Sequence, residues 1–242
     1  MRASFTRNPQ PATCKDVIII DSVAIVSGGL DSVTLLHYLV KEQQRQPAVI
    51  TFIYGQKHTK EVGFARKQAD LLGCQEHLVL DLALLWPLFA HSALIDEETA
   101  VPDVIDVMGD PQPVTYVPNR NMIFLALAAA YAETHEVNEV FYGAQRHDMY
   151  GYWDTTPQFL AQLNQVYGLN RKNPITIEAP FVNYTKTDLV RKGLELAVDY
   201  SQTWSCYEGQ ELACGRCPTC AERLKAFEEV GVADPLPYKN SA

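Results

Sequence analysis

The chain has 242 residues, 47% hydrophobic and 20% charged, with a formal net charge of −9. Such a composition can bury a core, which excludes intrinsic disorder, and the length suits one large domain with a small appendage. The acidic balance argues against a protein whose affinity comes from neutralising nucleic-acid phosphates.

No apolar run approaches the roughly 18 residues that suggest a membrane span, and residues 1–16 lack the apolar block of a signal peptide. A cytoplasmic protein without a membrane partner is expected. Residues 23–26 form a β-branched, apolar run ending in Ser27-Gly28-Gly29, after which Ser32, Leu35, Leu36 and Leu39 recur at helical spacing. Strand, tight turn and helix follow in that order. Residues 48–53 predict a second strand, 59–72 a helix and 77–80 a third strand. Residues 96–118 interrupt the rhythm with acids and prolines and are expected to form a surface excursion near the active site. An apolar helix capped by Asn119 or a neighbour runs through Tyr131; strands at 139–142 and 175–177 and a helix at 185–197 complete the alternation. This is an α/β pattern: a doubly wound, mainly parallel sheet of about five strands. Residues 201–242 are read as a small C-terminal lobe, 23–200 as the α/β domain and 1–22 as an N-terminal extension.

Ser27-Gly28-Gly29-Leu30-Asp31-Ser32 falls where the first strand hands over to the first helix, the place where open parallel sheets bind phosphate. Adjacent glycines let backbone N–H groups converge into an anion nest. The lysine of a Gly-x-x-x-x-Gly-Lys loop is missing, which argues against ordinary γ-phosphoryl transfer. The hexapeptide resembles the signature of the PP-loop ATP pyrophosphatases, which adenylate a carbonyl oxygen and release pyrophosphate. That resemblance implies a Rossmann-like fold, ATP bound by Ser27, Gly28, Gly29, Leu30 and Ser32, and Asp31 facing Mg²⁺. One carboxylate is enough for an ion that keeps most of its waters.

Cys206, Cys214, Cys217 and Cys220 form a C-x7-C-x2-C-x2-C pattern, which supplies four thiolates to a closed tetrahedral Zn²⁺ site. Four protein ligands leave no place for an activated water, so the expected metal role is structural. An iron–sulfur cluster would use the same ligands. Cys14 and Cys74 stand apart.

Together with Tyr54-Gly55-Gln56-x-His58, the run Val114 to Asn121 and Thr203-Trp204-Ser205-Cys206, these motifs resemble the 7-cyano-7-deazaguanine synthase family of queuosine biosynthesis. The resemblance spans about residues 23–235. It implies a carbon–nitrogen ligase that turns 7-carboxy-7-deazaguanine and ammonia into 7-cyano-7-deazaguanine (preQ0). The family adenylates first the acid and then the amide, releasing AMP and pyrophosphate each time. By the same resemblance the protein is a homodimer. Arg120 is the expected cation for the developing phosphate charge, with Asp31 as its catalytic companion; Tyr54, Gln56 and His58 are expected at the nucleotide. Asn119, Arg120, Asp148, Tyr152 and Asp154 are expected to hold the deazapurine. Residues 146–156 depart from the commoner family pattern, which leaves open a product halted at the amide or a related deazapurine acid. A PP-loop tRNA-modifying enzyme and a non-catalytic zinc-knuckle binding protein also remain open, although the acidic charge makes a nucleic-acid partner unexpected.

Overall fold

The computed structural model describes residues 19–57, 59–89, 91–146 and 152–239. His58, Asp148, Cys14 and most of the 1–22 extension lie outside the described residues.

Five strands, β1 (Ser22–Ile25), β2 (Pro47–Ile53), β3 (His77–Asp81), β4 (Glu139–Phe141) and β5 (Thr176–Glu178), form one sheet in the order β3-β2-β1-β4-β5. All four pairings are parallel, so each crossover carries a helix. The helices are α1 (Leu30–His37), which continues into a π-helical turn at Tyr38–Glu42, α2 (Lys60–Leu71), the short α3 (Val104–Val107), α4 (Arg120–Thr134), α5 (Pro157–Tyr167), α6 (Lys186–Glu195) and α7 (Pro218–Val230). The expected doubly wound α/β architecture is present.

Alternation along the short strands feeds two cores. Val23, Ile50, Val140 and Ile177 pack beneath α4 and α5, against Phe124, Ala128, Phe159 and Leu163. Ala24, Val49 and Phe141 face the opposite way, against α1, α2, α6 and α7. Residues with successive side chains buried on both faces produce the near-continuous apolar runs visible in the sequence.

Three helices lie where no element is expected: the short α3 inside the 96–118 excursion, α5 and α7. Thr156 accepts the Phe159 N–H, Pro157 occupies the first turn, and Phe159 and Leu163 are buried, so α5 has ordinary helix-start chemistry. α7 begins inside the cysteine segment at Pro218 and buries Ala226 and Phe227 in the same core as Leu189 and Val190 of α6. The 96–118 excursion is also less superficial than its composition suggests, because Val107, Thr115 and Val117 are buried. Asn119 precedes α4 with φ of 53° and its side chain makes no capping bond. The Asn121 backbone N–H in the first turn is instead satisfied by Asp154.

Candidate active site

Strand order reverses between β1 and β4, whose neighbours β2 and β5 lead away in opposite directions. Their diverging C-terminal ends open a cleft. The 27–32 turn forms one wall. Gly28 has φ of +98°, and a Cβ there would lie 2.0 Å from the Glu61 carbonyl oxygen, so only glycine lets α2 seat against the turn. Ser32 Oγ accepts the Ser27 and Gly28 N–H groups at 3.1 and 3.3 Å, and Ser27 Oγ accepts the Gly29 N–H at 3.2 Å. The hydroxyls thus hold the turn's amides in one orientation around the start of α1. Across the sheet, a Cβ on Gly143 would stand 3.2 Å from the Ser32 Cα, so β4 reaches the α1 N-terminus closely.

Asp31 faces the cleft and is gripped by Lys186, whose Nζ donates to Oδ1 and Oδ2 at 2.7 and 2.8 Å. Lys186 opens α6, where Thr185 and Asp188 form a reciprocal capping box that fixes the first turn. A lysine far away in sequence therefore sets the position of the first motif's only carboxylate.

Arg120 enters from α4 and donates to Tyr54 Oη at 3.3 Å. Burial opposes its charge, yet Tyr54, Tyr207 and Tyr152 outweigh it and raise the guanidinium pKa above its ordinary value. Tyr54 packs edge-on against Phe124, with ring centroids 5.4 Å apart. Burial raises the Tyr54 pKa, so the phenol remains protonated as a donor or acceptor. Gln56 Oε1 accepts the Tyr54 N–H at 2.8 Å, and its side chain also bonds Glu61 in the first turn of α2. Burial pushes the Glu61 pKa to about 7, against the opposing charge of Arg120 and the Gln56 hydrogen bond.

Tyr152 closes the other side of the cleft. Its hydroxyl shares a hydrogen bond with Thr115 Oγ1 at 2.9 Å, and its ring lies 6.0 Å from that of Tyr116. Asp154 is 2% exposed and is turned towards Asn121 and the α4 N-terminus, behind the cleft wall. Burial raises its pKa, opposed by Arg120 and the Asn121 bonds. Asn119 is exposed and does not line the cleft, whereas Asn121 does.

The four sulfurs of Cys206, Cys214, Cys217 and Cys220 lie within 4.8 Å of one another, all on buried residues. A tetrahedral ion bonded at about 2.3 Å to sulfur requires sulfur separations of about 3.8 Å, and Cys214 and Cys220 are 3.9 Å apart. Backbone N–H groups of Cys214 and Cys217 point at Cys206 Sγ and Cys214 Sγ, each at 3.3 Å, which favours thiolate. The donor set fits a soft metal ion. Arg216 turns instead to Glu208 and Asp103. Cys74 is isolated, and burial raises its pKa to about 11, consistent with an inert thiol.

The cysteine lobe reaches the cleft through Trp204. Its backbone N–H donates to the Gly28 carbonyl at 3.0 Å, its indole N–H donates to the Cys206 carbonyl at 3.0 Å, and Lys60 Nζ sits 3.6 Å over its ring. Behind it, Arg223 and Asp234, each 1% exposed, form a two-pronged ion pair at 2.7 and 2.9 Å. Arg223 also donates to Thr203 Oγ1 and the Tyr200 carbonyl, tying 200–205 to α7.

The family model described as "Queuosine biosynthesis protein QueC" matches residues 21–231. The chain belongs to this family. A 7-cyano-7-deazaguanine synthase from Caldicellulosiruptor saccharolyticus is 43% identical over 90% of this chain and 95% of its own length. Proteins of the same name from Alteromonas mediterranea and Methanoregula boonei are 40% and 41% identical, covering 90% of this chain and 98% and 99% of their own.

The QueC match runs from β1 through α7 and so includes the turn, the cleft and the cysteines. Among the sequence-derived residues, Ser27, Gly29, Leu30, Asp31, Ser32, Tyr54, Gln56, Arg120 and Tyr152 line one cleft. Lys186, Glu61, Asn121 and Trp204 join them without having been singled out as site residues. Asn121 and Trp204 fall within the 114–121 and 203–206 motifs, but Glu61 and Lys186 carry no local signal beyond a charged residue in the first turn of a helix.

Proposed function

We propose that the protein is an ATP-dependent 7-cyano-7-deazaguanine synthase, converting 7-carboxy-7-deazaguanine and ammonia into the nitrile through an adenylated acid and an adenylated amide. The observation that carries this reading is the meeting of the 27–32 amide turn, Asp31 and Arg120 in one cleft of a QueC-family chain. A carboxylate is a poor electrophile because its oxygen is a poor leaving group. Transfer to the α-phosphate of ATP makes that oxygen leave as AMP, and pyrophosphate departs from the other side.

Each residue has a part set by its chemistry. The Ser27–Ser32 amides and hydroxyls hold the pyrophosphate oxygens; a nest at a helix start favours negative charge without reorganisation. Arg120 supplies a fixed cation beside the α-phosphate, and Tyr54 keeps that guanidinium in place. Asp31, oriented by Lys186, is the carboxylate that would hold Mg²⁺, an ion that neutralises phosphate charge when bound. Tyr152 offers an aromatic face to the deazapurine. The four cysteines would hold Zn²⁺ as a structural ion, fixing the lobe that carries Trp204. Free ammonia is the nitrogen donor, and the enzyme works in the cytoplasm as a homodimer.

Purified, metal-loaded protein is incubated with ATP, Mg²⁺, ammonium and 7-carboxy-7-deazaguanine, and the products are followed by mass spectrometry. AMP and pyrophosphate are expected only when the acid is present, with amide preceding nitrile. Persistent amide would assign a deazapurine amide synthetase; no acid-dependent AMP would overturn adenylation of this substrate.

A further inference from the structure

Adenylation explains how the acid is activated but leaves a proton to be handled. When ammonia attacks, nitrogen becomes cationic and must lose a proton before the C–N bond is secure. The described cleft residues include three carboxylate-bearing side chains, Asp31, Glu61 and Glu222. Lys186 grips both oxygens of Asp31. Glu222 projects from α7 and is 5% exposed. Glu61 sits at the phosphate turn itself, since its carbonyl occupies the space beside Gly28.

Resting on the function proposed above, we propose that the Glu61 carboxylate is the proton acceptor for the nitrogen that attacks the adenylated acid. Gln56 bonds the carboxylate from the loop after β2, and Arg120 from α4 is the cation that acts on it. Tyr54, also after β2, lies within electrostatic reach. On its own helix, Lys60 is turned away to the Trp204 ring and the Gln210 and Glu211 carbonyls. Glu61 is thus held from two elements and is one of the residues that line the cleft.

The nitrogen lone pair forms the C–N bond, and the bond from carbon to the AMP oxygen breaks with its electron pair on AMP. One nitrogen proton passes to Glu61 and then to solvent. The sum is acyl adenylate plus ammonia giving amide, AMP and one proton. A carboxylate whose pKa is raised to about 7 is matched to accept a proton near neutrality and release it again.

The test compares wild type with Glu61→Gln and measures the ratio of nitrogen transfer to acid-dependent pyrophosphate release, at a fixed concentration of free ammonia. Hydroxylamine is the second nucleophile, because its cationic adduct is acidic enough to lose a proton to water. The expected ratio falls roughly 10²-fold with ammonia, the scale of general-base catalysis, and stays near wild type with hydroxylamine. An unchanged ratio with ammonia, or an equal fall with both nucleophiles, would overturn the inference while leaving adenylation standing. Wild type that releases no acid-dependent pyrophosphate would overturn the proposed function and this step together. Should Glu61→Gln fail to fold, Glu61→Asp replaces it: the shorter carboxylate is expected to lower the ammonia ratio alone, and an unaltered ratio rejects the role.

Discussion

The Trp204 backbone N–H donates to the Gly28 carbonyl, so the 27–32 turn and the segment that leads into the four cysteines share a hydrogen bond at 3.0 Å. The cysteine segment is therefore expected to brace the turn. Removing the metal with a thiol-competing chelator is expected to raise the apparent Kd for ATP several-fold before helical circular dichroism is lost. Equal loss of both signals would mean that the lobe supports the fold as a whole. Trp204→Ala is expected to destabilise the protein by about 3–5 kcal/mol, as for other buried large aromatics, with a parallel loss of ATP affinity.

Gly28→Ala places a methyl group 2.0 Å from the Glu61 carbonyl in a backbone region with φ of +98°. The left-handed conformation alone costs about 1–2 kcal/mol for an L-residue, and separation of α2 from the turn adds to it. A fall in melting temperature together with loss of ATP binding is expected by calorimetry; a normal melting temperature would contradict the observed seating of α2.

Lys186→Met removes the cation that grips Asp31. Acid-dependent AMP formation is expected to fall by about tenfold, the equivalent of about 1.4 kcal/mol in the barrier. Asp31→Asn should cost more, since it removes the carboxylate assigned to Mg²⁺ as well as the ion pair. A kcat no lower in Asp31→Asn than in Lys186→Met would show that the lysine, not the carboxylate, carries the effect.

Glu61 also predicts a stability signature. Burial raises its folded-state pKa from an ordinary 4.5 to about 7. The folded chain therefore holds a proton that the unfolded chain releases, so this group adds stability as pH falls through 7 and reaches its limit below about 4.5. Above pH 7 the buried charge is a liability. Glu61→Gln is expected to raise the melting temperature relative to wild type at pH 8 by a few degrees, with the difference vanishing near pH 4.5. A constant difference across that range would assign the shift to packing.

Strands and the 27–32 turn were legible because their signals are local: β-branched runs buried on both faces, and a glycine, Gly28, at a position that a side chain would obstruct. The cysteine spacing was equally self-contained. Lys186 was not, because the pair it makes with Asp31 depends on α6 crossing the sheet to meet α1. Asp154 was expected at a deazapurine edge, and the fold turns it instead to the Asn121 N–H, a distinction that residue type does not encode. The amphipathic stretch of α5 carried usable signals in Thr156, Pro157, Phe159 and Leu163, whereas α7 was masked by the cysteines that precede and enter it. Side-chain chemistry close in sequence announces itself; partners joined by tertiary packing do not.

The Arg223–Asp234 pair makes the docking of α7 depend on a residue that follows the helix in the chain. The 27–32 turn precedes Asp234 by about two hundred positions, and among the described residues Asp234 is the carboxylate paired with Arg223. Losing one partner of such a buried pair costs about 3–5 kcal/mol, so a chain truncated before residue 234 is expected to dock α7 loosely and to be cut there more readily by proteases.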